Sequence, residues 1–511
     1  MKKFNTLYEL LKFPLKLLLL GYIFVGLHSF LLGTNFSILY TVSTPLFITI
    51  LELLSKIGKF IIVNAPLILV IKLVSRKTNS YVPIYSAIIG YGVYLVCTAL
   101  FSNNQLPALA YSNIFNIEYK VVDSANIVSY LYPIQTGFIA AIVVGIATRQ
   151  TYKQSRKSNI NIVNFIDKDI LAIIYNIIYC IVLGILVTIL WPYIYEWYEQ
   201  LIHFISKDIS NPVSLFVYGV IERIFNLLNI SNLIRDPFWF TSVGGSWLTV
   251  ANESITGDVN VYSAMLRSGF DTLSFGKFIT PYYIINIFIY PSIIMAFFTL
   301  HTNNIEKIKF IPTVIVSIIL SILTGSLIPL DITLFLLCPL LYFTHVILTG
   351  SLFALLQFFN IQLGFSYTGD SLYALPGTLF DFGIHFRNPL IYDNLINIIL
   401  IGIIYALIYY FLVIVYYRYL AIDIFQTGEM KRLMKKLENS IGGFNNIKSV
   451  EATPFKLVIQ IHDSTNVNRN ELFNVGTDRI SESKNHFTFM LGKKSYMFYR
   501  NIKYIIKQNN N

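Results

Sequence analysis

Asn394 to Tyr417 reads NLINIILIGIIYALIYYFLVIVYY, a run without a single Asp, Glu, Lys or Arg. A helix over these residues would rise about 1.5 Å per residue, enough to cross about 30 Å of hydrocarbon. Working back from it, further stretches near 17–33, 45–71, 82–101, 131–148, 170–191, 279–300, 308–323 and 333–360 meet or approach the same requirement. The second is interrupted by Glu52, Lys56 and Lys59. The whole chain of 511 residues is 55% hydrophobic and 13% charged, with a mean hydropathy of +0.62, so its charges are too few to solvate a soluble protein of this size. The expectation is an all-α polytopic membrane domain of about ten membrane segments, including re-entrant hairpins, embedded in a lipid bilayer.

Downstream of that run the composition changes. Apolar character stops near Leu420, and from Gln426 the charge density and short alternation are those of a small soluble module. The expected division is a membrane domain over 1–425 and a small α/β domain over 426–511. Within the latter, Glu429 to Ile441 has helical spacing, Lys456 to His462 and His486 to Leu491 alternate as strands, and Ser495 to Ile506 closes with a helix.

The net charge of +11 would suggest nucleic acid in a soluble protein, but here the basic residues gather between spans and report topology. They fall in the N-terminal lysines, Lys72 to Lys77, Arg149 to Lys157, and Arg418 with the Lys431 to Lys436 run. Placing these segments in the cytoplasm makes hairpins of 17–33 with 45–71 and of 82–101 with 131–148. The polar 102–130 segment then falls outside, and the N-terminus and the C-terminal domain fall inside the cell. No small-residue cleavage site follows the first span, so it is read as retained. Cys97, Cys180 and Cys338 lie far apart within apolar stretches, a pattern of packing residues rather than of a metal cluster or a disulfide framework. No cofactor, metal or nucleic acid partner is expected.

Between Asn211 and Lys277, apolar patches are broken by Gly244, Gly245, Gly257 and Gly269 and by Glu222, Arg223, Arg235, Asp236, Asp258 and Asp271. Irregular backbone at membrane depth is tolerated only where protein or a watery cavity covers it, so the region is a candidate for substrate-handling structure. Thr324 to Thr333 (TGSLIPLDIT) is a second such place. Asp331 there either lines a cavity or caps a half-helix. Glu222 and Arg223 either pair with each other or with Arg235 and Asp236, or they meet a ligand directly. His301 is read as marking an interface, and single histidines such as His345 and His385 as packing residues unless a ligand claims them. Trp191 and Trp197 suit a headgroup belt, whereas Trp239 and Trp247 lie in the irregular region and are open to stacking on a ring.

Several strings in order resemble the glucose and N-acetylglucosamine group of phosphotransferase-system permeases, in which a membrane IIC domain precedes a soluble IIB domain. They are Asn64 to Leu69 (NAPLIL), Leu190 to Tyr193 (LWPY), Tyr218 to Arg223 (YGVIER), Pro237 to Phe240 (PFWF) and Thr256 to Asp258 (TGD). Gly325 to Asp331 (GSLIPLD), Cys338 to Tyr342 (CPLLY), His345 to Gly350 (HVILTG) and Asp381 in TLFDFGIHF complete the series. The resemblance implies a homodimeric carrier of a small carbohydrate. It implies a substrate-binding set of Glu222, Arg223, Ser231, Asn232, Asp331 and His385, with Ser231 and Asn232 where the family usually has a histidine pair.

Two departures bear on chemistry. Ile328 stands where the family has a glutamate that hydrogen-bonds sugar hydroxyls, although the second acid of that segment is kept in kind as Asp331. In the tail, IKSVEATPFKL (Ile447 to Leu457) places Thr453 where the family has its phosphoryl-accepting cysteine. A threonine hydroxyl is far less acidic than a thiol and is a poor replacement nucleophile. The expectation is a sugar transporter of the IIC type with a degenerate IIB tail, catalytic residues none, that does not phosphorylate its solute alone. The alternatives are a non-transporting sugar receptor or regulator, or the IIC subunit of a split system served by a separate IIB or IIA protein.

Overall fold

A computed structural model gives the fold and describes residues 2–32, 45–75, 80–101, 119–122, 128–131, 133–134, 136–157, 167–249, 252–269, 275–301, 304–325, 328–365, 377–386, 388–417, 427–475, 477, 479–492 and 494–509. Helix α1 (Lys2–Leu32) crosses α2 (Pro45–Val63) where two glycines meet. A Cβ on Gly58 would lie 2.6 Å from the Gly21 carbonyl oxygen, so the contact is backbone against backbone. The apolar run then breaks at Asn64, and α3 (Ala65–Ser75) leaves α2 at 56°. Pro66 has no N–H for the helical ladder, and Asn64 turns its amide onto the Phe60 carbonyl at 2.8 Å. The 45–71 stretch is therefore one bent pair rather than one straight span.

Helix α4 (Val82–Leu100) is followed by an antiparallel pair, β1 (Tyr119–Val122) and β2 (Val128–Leu131), with Tyr119 opposite Leu131. Helix α5 (Gly137–Lys157) starts later than the apolar run from residue 131 suggests, after the end of β2 at Leu131 and after Pro133. Helix α6 (Lys168–Ser206) is capped by Asp167, whose side chain accepts from the amides of Asp169 and Ile170. Its 39 residues continue through Pro192, well past the hydrocarbon thickness at about 1.5 Å per residue. Leu69, Val70, Tyr91, Tyr94, Val144 and Cys180 form the core that α3 to α6 share. The three cysteines are buried and unbridged, as packing residues are.

The remaining membrane helices carry the irregularities. They are α7 (Pro212–Leu227), α8 (Asn232–Phe240), a short hairpin of β3 (Ser246–Leu248) and β4 (Ser254–Thr256), and α9 (Asp258–Arg267). Next come α10 (Thr280–Thr299), α11 (Asn304–Thr324), α12 (Ile328–Leu337), α13 (Pro339–Phe358), α14 (Leu379–His385) and α15 (Tyr392–Val415). The 333–360 run is split between α12 and α13 at Cys338, where Pro339 begins the new helix. Helix α10 contains one π turn, Ile285–Ile289, against which α15 packs Gly402 so closely that a Cβ there would meet the Phe288 ring at 2.5 Å. Among the described residues α4, α6, α10, α13 and α15 are long and apolar enough to span a membrane, and the bent α2–α3 pair makes a sixth. Shorter apolar stretches at Phe13–His28 and Phe310–Leu323 accompany them. The chain is a multi-pass membrane protein.

The C-terminal part has α16 (Thr427–Ile441), α17 (Arg469–Leu472) and α18 (Lys494–Asn509) beside one antiparallel sheet of order β5-β6-β8-β7. The strands are β5 (Ile447–Ala452), β6 (Leu457–Ile461), β7 (Ile480–Ser483) and β8 (His486–Phe489). Strands β6 and β8 follow the alternation in the sequence. Strands β5 and β7 escape it: β7 is an exposed edge, and β5 carries a register shift between Ile447 and Ser449. The division expected at residues 425 and 426 lies outside the described residues.

Candidate functional site

Glu222 and Arg223 sit in the last turns of α7, and both are fully buried. A carboxylate and a guanidinium in a membrane interior each cost several kcal/mol in lost hydration unless paired and hydrogen-bonded. The pairing here is thorough. Arg223 Nε donates to Glu222 Oε2 at 2.6 Å, and Arg223 Nη1 donates to Asp331 Oδ2 at 3.2 Å. From the next helix, Arg235 Nε and Nη2 donate to Glu222 Oε1 at 2.8 and 2.5 Å. Asn226, one turn beyond Glu222, donates its amide to Asp331 Oδ2 at 2.6 Å. Two carboxylates and two guanidiniums cancel, so the cluster is neutral as a unit.

Asp331 reaches the cluster because α12 starts at Ile328 and sets position 331 in its first turn. Its second oxygen, Oδ1, accepts from the Tyr290 hydroxyl, and His345 Nε2 of α13 lies 3.5 Å from the same atom. The other ring nitrogen of His345 pairs with the Tyr409 hydroxyl of α15 at 2.8 Å. Tyr342 donates to the Arg223 carbonyl at 2.6 Å. Aromatic faces cover the cations: Arg223 and Arg235 lie 5.4 and 5.2 Å from the Tyr282 ring centroid, and Arg235 also lies 5.4 Å from that of Trp239. Five helices, α7, α8, α10, α12 and α13, thus contribute to one polar cluster inside an apolar bundle, and α15 joins through Tyr409.

A second cluster lies on the neighbouring side of α10. Tyr282 and Tyr283 are adjacent, and Tyr282 accepts from Arg235 Nε at 3.0 Å while Tyr283 donates to Asp381 and to the Gly364 carbonyl, the latter at 2.7 Å. His385, buried on α14, has Nδ1 3.4 Å from the Tyr262 hydroxyl. The π turn Ile285–Ile289 separates these two tyrosines from Tyr290. Such turns widen a helix locally and recur where side chains are re-aimed.

The six residues expected to bind solute are therefore divided. Glu222, Arg223 and Asp331 share the ion cluster, and His385 belongs to the second cluster. Ser231 and Asn232 begin α8, with Ser231 buried and Asn232 half-buried. The groups that reach the carboxylates from this stretch are those of Asn226 and Arg235 instead. Asp236 stands next to Arg235 but is not its partner in the cluster, because Arg235 is turned onto Glu222. The Trp239 indole donates to Tyr218 at 3.1 Å and carries Arg235 on its face, which makes it a wall of the cluster. Tyr282, Tyr290, Tyr342 and Tyr409 escape a reading of the sequence; the signal for them is a hydroxyl within otherwise aliphatic spans.

Ile328 and Thr453 are both packing positions. Ile328 is buried against Leu18, Tyr22, Ala65 and Ile332, an apolar contact between α12 and helices α1 and α3. Thr453 is buried in the turn between β5 and β6, where its Oγ1 accepts from the amides of Phe455 and Lys456 at 3.2 and 3.0 Å. That hydroxyl closes a turn.

No protein-family model matches the chain. Among solved structures, similarity is found to the transporter ChbC, the IIC component of the N,N'-diacetylchitobiose-specific phosphotransferase system, at 8% identity and a TM-score of 0.31. The alignment covers 79% of this chain and 92% of that one. A TM-score of that size assigns neither family nor solute.

Proposed function

We propose that the chain is a carrier of a small carbohydrate across the cell membrane, built on the plan of a phosphotransferase IIC permease and unable to phosphorylate its solute alone. The observation that carries this reading is the neutral cluster of Glu222, Arg223, Arg235, Asn226 and Asp331, ringed by tyrosine hydroxyls and buried except for the edge of Arg235. Ionisable groups at membrane depth are costly and are retained where a solute path needs them. Every carboxylate oxygen in the cluster is engaged, so a solute enters only by exchanging its own groups for those already there. A polyol is suited to that exchange, since its hydroxyls replace the hydroxyl of Tyr290 or the amide of Asn226 one for one. A cation would unbalance the neutral set.

The burial of Thr453 supports the absence of phosphoryl transfer, because a nucleophile must be reachable by its donor. By family resemblance the working unit is a homodimer, with the N-terminus and tail in the cytoplasm. Uptake of labelled sugars into proteoliposomes holding the purified chain tests the proposal, with and without a phosphodonor and an intact IIB protein. Flux of free sugar without phosphodonor is the expected result, and Asp331→Asn reduces it at least tenfold. Flux only with IIB and phosphodonor would make this a subunit of a split system, and binding without flux would make it a receptor.

A further inference from the structure

Helix α10 ends against the tail. Tyr290, whose hydroxyl is on Asp331, and Phe297 lie seven residues apart and therefore on one helical face, about 10 Å along the axis. Phe297 is buried, with its ring centroid 5.5 Å from Tyr417 and 6.4 Å from Phe455 of the tail. Phe455 is also met by Phe310 of α11 at 6.1 Å, and His301, just past α10, stacks on Phe310 at 4.5 Å. Tyr417 in turn meets Tyr496 of α18 edge to face at 6.2 Å.

The turn that presents Phe455 is stiff. Thr453 closes it from within, and the Gly492 amide donates to the Phe455 carbonyl at 2.9 Å from outside. At its other end the α10 segment that carries Phe297 is bounded by the π turn, a place where a helix can change register by one residue. A packed turn bearing on a packed helix transmits displacement rather than absorbing it.

We propose that the tail is a latch on the membrane part: seating Phe455 between Phe297 and Phe310 holds Tyr290 on Asp331, so release of the tail and opening of the buried cluster are one coupled event. Its consequence for transport rests on the reading of that cluster as the solute site, but the coupling itself needs no solute. Reciprocity then requires that whatever loosens the cluster loosens the tail by the same factor.

Hydrogen exchange of the full chain in nanodiscs, without sugar, tests this. Tyr290→Phe removes one hydroxyl and keeps the ring, and it should speed exchange at least threefold in peptides covering the Thr453 to Lys456 turn. Phe455→Ala should speed exchange at the same turn and also in α12, around Asp331. Glu482→Gln, exposed on the far edge strand β7, is the control and should change neither. Native exchange in the Tyr290→Phe tail, or a Phe455→Ala effect confined to the tail or absent altogether, overturns the latch. Sugar flux measured separately keeps the two readings apart. Flux without coupling removes the latch and leaves the carrier, and coupling without flux does the reverse.

Discussion

Arg223 is the residue on which the buried cluster turns, because it bonds to both carboxylates. Breaking a buried ion pair from one side typically costs about 3–5 kcal/mol, since the remaining charge stays buried without its partner. Arg223→Met is therefore expected to lower the thermal midpoint of the purified chain sharply. The double variant Glu222→Met with Arg223→Met should cost clearly less than the sum of the singles, because it removes one charge of each sign and leaves Arg235 and Asp331 to balance. Unfolding curves in detergent for the three variants decide this, and strict additivity would mean that the pair is not coupled. The sequence made part of this cluster legible: Glu222, Arg223, Arg235 and Asp331 are rare charges in apolar surroundings, and rarity at depth is a signal. The tyrosines carry no such mark, because a tyrosine in a span reads equally well as an interface residue. Thr453 is the converse case. The sequence offers it only as a hydroxyl in a polar stretch, whereas its work in closing the β5–β6 turn depends on backbone amides that no side-chain pattern announces.

Elements show where apolar length predicts a span and where it does not. The long runs at 82–101, 279–300 and 394–417 became single helices, but 45–71 and 333–360 were each broken beside a proline, at Asn64 and Cys338. Length is summed over residues, while a break depends on one missing N–H, so a run of adequate length hides its own bend. The π turn in α10 had no sequence signal at all, and the close approach of α15 to it at Gly402 is equally invisible along the chain. Glycines at helix crossings are likewise ambiguous until the partner helix is known. Gly58 and Gly92 both lie within apolar helices, yet a Cβ on Gly58 meets the Gly21 backbone at 2.6 Å while one on Gly92 meets nothing within 4 Å. Gly58→Leu should therefore force α1 and α2 apart, costing about 1–3 kcal/mol or more, whereas Gly92→Leu should be neutral or mildly stabilising. Thermal midpoints of the two variants check the contrast, and equal effects would show that the α1–α2 crossing is not tight.

For the whole molecule the open question is orientation, and charge supplies the argument. The basic end of α5, with Lys153, Arg156 and Lys157, should lie in the cytoplasm by the bias of lysine and arginine toward that side. Helix α5 has 21 residues, about 31 Å at 1.5 Å each, so its two ends fall on opposite sides if it crosses. The β1–β2 pair precedes α5 and is then expected outside, while the tail, joined to the membrane part through Phe455 and Tyr496, is expected inside with Lys153. Single cysteines placed at Lys120, Lys153 and Lys448 report this directly. The native cysteines do not interfere, because Cys97, Cys180 and Cys338 are buried. A membrane-impermeant maleimide should label the Lys120→Cys chain in right-side-out cells, and the Lys153→Cys and Lys448→Cys chains only in inverted vesicles. Labelling of positions 120 and 153 from one side would mean that α5 does not cross. Labelling of position 448 from outside would be more consequential, because a tail seated on the outer ends of α10 and α11 could meet no cytoplasmic partner.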